Sequence, residues 1–223
     1  GVHLDFRASL PHVEDVKARI QAAGREVLFI NMNAADDEKR ADAIAQLQAR
    51  FATRAGNRPY LRVLVHSLAF GTLLPFIADD PKGAVSRKQL EMTLDVMANS
   101  LVYWTQDLVG RGLLAEGGHV YAMTSAGGHK IWPSYGAVSA AKAALESHCR
   151  QLAVELVPRK IAVNALRAGV TDTPALRKIP GNEGMIERCL AIHPAGRLTT
   201  PEDVVGVLVA LARPETVWLT GNV

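Results

Sequence analysis

The sequence predicts an α/β fold, a doubly wound parallel sheet with helices on both faces, and three observations lead there. Short β-branched apolar runs alternate with longer stretches of helical period along the 223 residues. The short runs are apolar at nearly every position, as in strands covered on both sides. No Gly/Ser/Pro-rich linker, internal repeat or low-complexity segment breaks the alternation, so a single domain over 1–223 is expected, large enough to bury its own core. Strict strand–helix alternation implies parallel strands joined by right-handed crossovers.

Taken in order, the expected strands are 2–6 (VHLDF), 27–32 (VLFINM), 62–67 (RVLVHS), 119–123 (HVYAM) and 161–166 (IAVNAL), with a last one beginning in VWLTGNV. The expected helices are 11–24, 36–52, 86–109, 135–156 and 201–212, each with apolar residues at helical spacing and suitable length.

Composition narrows the function classes. Lys and Arg number 25 against 22 Asp and Glu, a small excess that argues for no basic face and no nucleic-acid partner. The two cysteines, Cys149 and Cys189, stand in helical patterns without metal-ligand or disulfide-framework spacing, so no metal is expected and a reducing cytoplasm is the natural home. No run of 18 apolar residues and no charged-then-apolar leader marks a membrane span or secretion.

Doubly wound folds bind ligands beyond the carboxyl ends of their strands. The first expected strand ends LDFRAS, where Arg7 would pair with a ribose 2′-phosphate and Asp5 would accept from a free 2′-hydroxyl. Arg7 favours NADPH, and Asp5 keeps NADH open. After 27–32, Asn33 either bonds an adenine edge or caps the next helix. After 62–67, small residues and a glycine in VHSLAFG let backbone approach a ligand. His66 reads as a satisfied structural histidine.

The fourth strand runs into TSAGGHKIWPSYGAVSAAK. Together with the strand ends, this stretch resembles the short-chain dehydrogenase/reductase family, whose Rossmann-type fold carries a catalytic serine, a helix tyrosine and a helix lysine. The resemblance assigns those roles to Ser125, Tyr135 and Lys142. In the common form of the family the lysine follows the tyrosine by four positions; here it follows by seven, while Ser125 and Lys142 keep the usual separation of seventeen. The tyrosine has moved three residues earlier, close to one helical turn, and Val138 stands in its usual place. A phenol set back from the hydride-accepting carbon suits conjugate reduction of an enoyl thioester, in which charge develops on a more distant carbonyl oxygen.

The Tyr-x6-Lys spacing is similar to that of bacterial enoyl-acyl-carrier-protein reductases, as are VHSLAF, VSRKQLEMTLDV, VNALRAGVTDTPAL and PAGRLTTPEDV. The resemblance implies a cofactor site formed by Arg7, Asn33, Ala34, Ser67, Leu68, Ala69, Lys142, Gly169, Thr171 and Thr173. It places Phe70, Tyr135 and Leu176 against the substrate, and makes TDTPALRKIPGNEGMIERC a segment that covers it. It further implies an acyl thioester on acyl carrier protein or coenzyme A, and a homo-oligomer, dimer or tetramer.

The chain departs from the family in three ways. Neither TGxxxGxG nor GxGxxG occurs, and the glycine-rich turn is expected about 20 residues before Gly1, the chain being trimmed at both ends. Ser125 occupies the place of a second tyrosine found in many enoyl reductases. The helix asparagine of ketone-reducing members has no equivalent, since Asn99 falls off register. A ketoreductase or alcohol dehydrogenase on the same fold, and a non-catalytic binding protein, are the alternatives.

Overall fold

The computed structural model describes residues 6–52 and 61–223, with side chains from Leu10 onward. Helix α1 (Phe6–Ala22) and helix α2 (Asp37–Ala52) come first, followed by strand β1 (Leu61–His66). The expected strand 2–6 lies outside the described residues except for Phe6, which opens α1 together with Arg7. Arg7 therefore stands on a helix, not in a loop, and its side chain lies outside the described residues.

Residues 27–32 do not form a strand: no neighbour pairs with them among the described residues, and Phe29 and Ile30 are exposed. A β-branched apolar run becomes a strand only when a ladder partner takes its amides and carbonyls. Asp36 caps α2 through the Lys39 amide at 3.0 Å, and Asp37 and Glu38 sit in its positive first turn.

A long helix follows in three parts: α3 (Arg87–Leu94), a π-turn over Asp95–Asn99 and α4 (Ser100–Gly110). Ser86 and Gln89 close a capping box at its start. Strand β2 (Leu114–Met123) begins five residues before the expected 119–123, and its register against β1 slips between Leu61 and Val63. Gly117, at φ +81°, supplies the irregular backbone, and the glycine pair there hides the strand's start from a pattern reading. Helix α5 (Gly136–Leu156), strand β3 (Ala162–Leu166), α6 (Asn182–Ile192) and α7 (Pro201–Leu211) complete the order.

The strands run parallel in the order β1-β2-β3. Beyond β3, the amide of Gly221 donates to the Val163 carbonyl at 2.8 Å and the Asn222 carbonyl accepts from Ala165 at 2.9 Å, so the expected last strand starts to pair here. On one face Val120, Ala122, Val163 and Ala165 pack with Leu101 and Leu108 of α4 and with Leu145, Leu152 and Leu156 of α5. On the other, His119 and Tyr121 donate to the carbonyls of Arg213 and Leu211 at the end of α7. Helices thus cover both faces, and parallel strands bring His66, Met123 and Leu166 to one edge.

Candidate active site

Lys142 ties that edge together. It lies two turns into α5 and only 6% of it is exposed, buried between two strand ends where its ammonium donates to the carbonyl of Met123 at 2.6 Å and of Leu68 at 3.3 Å. Burial pushes its pKa down to about 8. Lys142 does not lie exposed on the helix surface against Glu146 one turn on. Glu146 is itself buried, and its carboxylate accepts from the Thr124 hydroxyl at 2.7 Å and pairs with His129 at 2.6 Å.

Tyr135 sits at the N-terminal boundary of α5, 9% exposed, and burial raises its phenol above the ordinary value while a hydrogen bond from Ser125 draws it partly back. Ser125 is fixed in turn: its oxygen accepts from the Gly127 amide at 3.1 Å and opens the 3₁₀ turn Ala126–Gly128. A side chain on Gly127 would overlap the Tyr135 ring. The backbone reaches Tyr135 through Ser134 at φ +60°, a left-handed conformation that costs a non-glycine residue on the order of 1–2 kcal/mol. Val138, in the usual tyrosine position, is buried and packs with Met97, Ala141 and Tyr135.

The remaining predicted contacts distribute along the same edge. Ser67, Leu68 and Ala69 follow β1, with the Leu68 carbonyl already bound to Lys142, and Phe70 is half-buried behind them. After β3, Thr171 donates to the Gly169 carbonyl at 3.1 Å and the Thr173 hydroxyl accepts from Leu176 at 3.2 Å. Gly169 has no room for a side chain because Thr199 fills the place, a residue that nothing in the sequence singles out. Leu176 is buried in a 3₁₀ turn, and Ile179 is the residue of that segment that joins the Tyr135 cluster.

Asn33 forms a local turn by accepting from the Ala35 amide at 3.1 Å, and the Ala34 carbonyl accepts from the Trp104 indole at 2.9 Å. Helix capping by Asn33 is thus corrected: Asp36 does it. His66 is satisfied on one side only. The Ser100 hydroxyl donates to the Val96 carbonyl at 2.8 Å, so it must accept from His66 Nε2, leaving Nδ1 a buried acceptor without a hydrogen-bond partner among the described residues. Burial and the charge of Lys142 lower its pKa to about 4, keeping the ring neutral. Asn99 closes the π-turn and reaches towards α5, with its amide oxygen on His148 at 3.1 Å.

The arrangement is a buried phenol beside a serine, a buried amine on two strand-end carbonyls and a hydroxyl-bearing loop on the third strand. The family model described as enoyl-(acyl carrier protein) reductase matches residues 4–223. The chain belongs to that family. The enoyl-[acyl-carrier-protein] reductase [NADH] of Nostoc sp. is 31% identical over 196 residues, 88% of this chain and 72% of its own length. The protein of the same name from Aquifex aeolicus is 29% identical over 228 residues, covering 100% of this chain and 79% of its own. Its crystal structure superposes with a TM-score of 0.79 at 26% identity, covering 95% of this chain and 79% of that one. An uncharacterized oxidoreductase of Methylorubrum extorquens is 29% identical over 227 residues, 100% of this chain and 84% of its own. A short-chain dehydrogenase/reductase of Serratia marcescens, 23% identical with a TM-score of 0.76, shares the fold. Membership in this family makes the chain an oxidoreductase that uses a nicotinamide cofactor, and makes its sheet a Rossmann-type one.

Proposed function

We propose that the protein reduces the 2,3 double bond of an enoyl thioester, with Tyr135 as the residue that meets the thioester oxygen. The observation that carries this is the exchange of places in α5: Tyr135 stands at the N-terminal boundary of the helix with its ring against Gly127 in the turn that Ser125 opens, while Val138 is buried in an apolar cluster and offers no donor. Three residues of helix displace a donor by about 4.5 Å along the axis. That offset separates the phenol from the hydride-accepting carbon and matches the reach from a β carbon to a thioester oxygen.

The residues at the strand ends fit a nicotinamide and its ribose. Lys142, bonded to two carbonyls, has a third N–H for the ribose hydroxyls, and the Gly169–Thr173 turn offers carbonyls and hydroxyls for a carboxamide. When bound, the cofactor supplies hydride. Tyr135 donates its hydrogen bond as charge builds on the thioester oxygen, and Ser125, donating to the phenol oxygen, favours that charge shift. The nearby Lys142 ammonium holds the same negative charge in place. The relatives' names specify NADH, which now weighs more than the NADPH preference expected from Arg7. Acyl carrier protein is the carrier in those names, and we adopt it over coenzyme A.

Consumption of NADH with crotonyl thioester tests the reading, with NADPH and Arg7→Ala run alongside. Tyr135→Phe is expected to lower kcat about 100- to 1,000-fold, the usual loss for one such donor, and to change KM little. An unchanged kcat would remove Tyr135 from the chemistry. A second reading rests on the nearness of Ser125 to the buried Tyr135 phenol, which it draws back towards its ordinary pKa, a pairing that also suits ketone reduction. A ketone turned over faster than the enoyl substrate would favour it.

A further inference from the structure

Tyr135 is covered. On its inner side Met97, Val138 and Ala141 hold it against the helices, and on its outer side lie Leu73, Trp132 and Ile179, all only partly buried. An acyl chain reaches the phenol by displacing the outer residues, since the inner ones belong to packed helices.

Trp132 links the outer cover to the tyrosine. Its carbonyl accepts from the Tyr135 amide at 3.1 Å, and its indole N–H donates to the Pro180 carbonyl at 3.0 Å. The indole edge lies 3.7 Å from where a side chain on Gly181 would begin, and Gly181 holds φ +73°. The other end of the covering segment is tied back to the third-strand loop by Arg177 on Asp172, at 2.8 Å for each of two bonds. Beyond Gly181, α6 buries none of its side chains.

We propose that Trp132 is the gating residue of the substrate pocket: its indole bond to Pro180 holds residues 176–181 closed over Tyr135, and breaking it admits the acyl chain. The proposal rests on the reading of Tyr135 as the residue that meets the thioester. A pocket competent only when open binds with an apparent affinity reduced by the open fraction, so loosening the bond lowers KM and leaves kcat unchanged.

Limited trypsin digestion of the intact protein, with cleavage sites mapped by mass spectrometry, tests the gate without any substrate. Arg177, Lys178 and Arg188 are exposed reporters in the segment, and Arg87 at the start of α3 is the control. Trp132→Phe keeps an aromatic ring and loses the N–H. Loss of one hydrogen bond should speed cleavage after Arg177 and Lys178 roughly three- to tenfold, with Arg87 unaffected, and lower the crotonyl-thioester KM by a similar factor at constant kcat. Unchanged cleavage at 177–188, or an equal rise at Arg87, overturns the gate. Faster cleavage in a protein that turns over no enoyl thioester upholds the gate and sinks the enoyl reading instead.

Discussion

Gly127 carries no side chain because the Tyr135 ring occupies its place. Gly127→Ala must push the phenol aside, and a displacement of about 1 Å costs on the order of 100-fold in rate. We expect kcat to fall by that order while the thermal midpoint moves little, measured by steady-state kinetics beside a melting curve. Lys142 sets the pH limit. In its proposed role the ammonium is charged as it holds ribose hydroxyls and a developing negative charge, and its folded pKa is lowered to about 8 from 10.5. Cofactor kcat/KM should therefore fall as pH rises through about 8, and Lys142→Ala should abolish that limb along with cofactor affinity. The linked stability runs the other way. A lysine whose folded pKa is depressed binds fewer protons folded than unfolded between those two values, so this group's contribution to stability rises with pH across the same interval. Ser125, Tyr135 and Lys142 were singled out by their resemblance to the short-chain dehydrogenase/reductase family, and the structure buries Tyr135 and Lys142 near the same strand ends. The Glu146 carboxylate under Thr124 and His129 was not singled out, although an acid in an otherwise apolar helical run is the signal that would have found it.

At the scale of elements, helix α7 shows how local sequence sets a boundary. Thr200 accepts from the Asp203 amide at 3.4 Å while the Asp203 carboxylate accepts from the Thr200 amide at 2.9 Å, and Arg197 grips that carboxylate at 2.7 and 2.9 Å. Thr200→Ala is expected to cost about 0.5–2 kcal/mol, read as a shift in denaturant midpoint at unchanged slope. An unaltered midpoint would show that the cap contributes nothing beyond its neighbours. The helix starts near 36, 86 and 201 were readable in the sequence from the onset of helical period, and so was the alternation, but the cap of α2 was not, since Asp36 serves where Asn33 was the candidate. Elements that depend on partners far away in sequence were not. Residues 27–32 have strand composition and no ladder, β2 starts behind a glycine bulge, and α6 lies in a stretch whose Pro and Gly read as loop. The π-turn over Asp95–Asn99 has no sequence signature, yet its Val96 carbonyl fixes Ser100 and, through it, the tautomer of His66.

At the scale of the molecule, a parallel sheet gathers three strand ends on one edge, and α5 delivers a phenol and an amine to them from one helix. In the proposed reading, the gap between those two groups along α5 separates reduction of a double bond from reduction of a ketone. The decisive measurement is a competition in which the intact protein receives equal crotonyl and acetoacetyl thioesters with nicotinamide cofactor deuterated at C4, and products are separated by mass spectrometry. The displaced tyrosine predicts deuterium at C3 of butyryl thioester as the dominant product, with that preference reduced in Tyr135→Phe/Val138→Tyr. Dominant labelled 3-hydroxybutyryl thioester from the parent protein would contradict it.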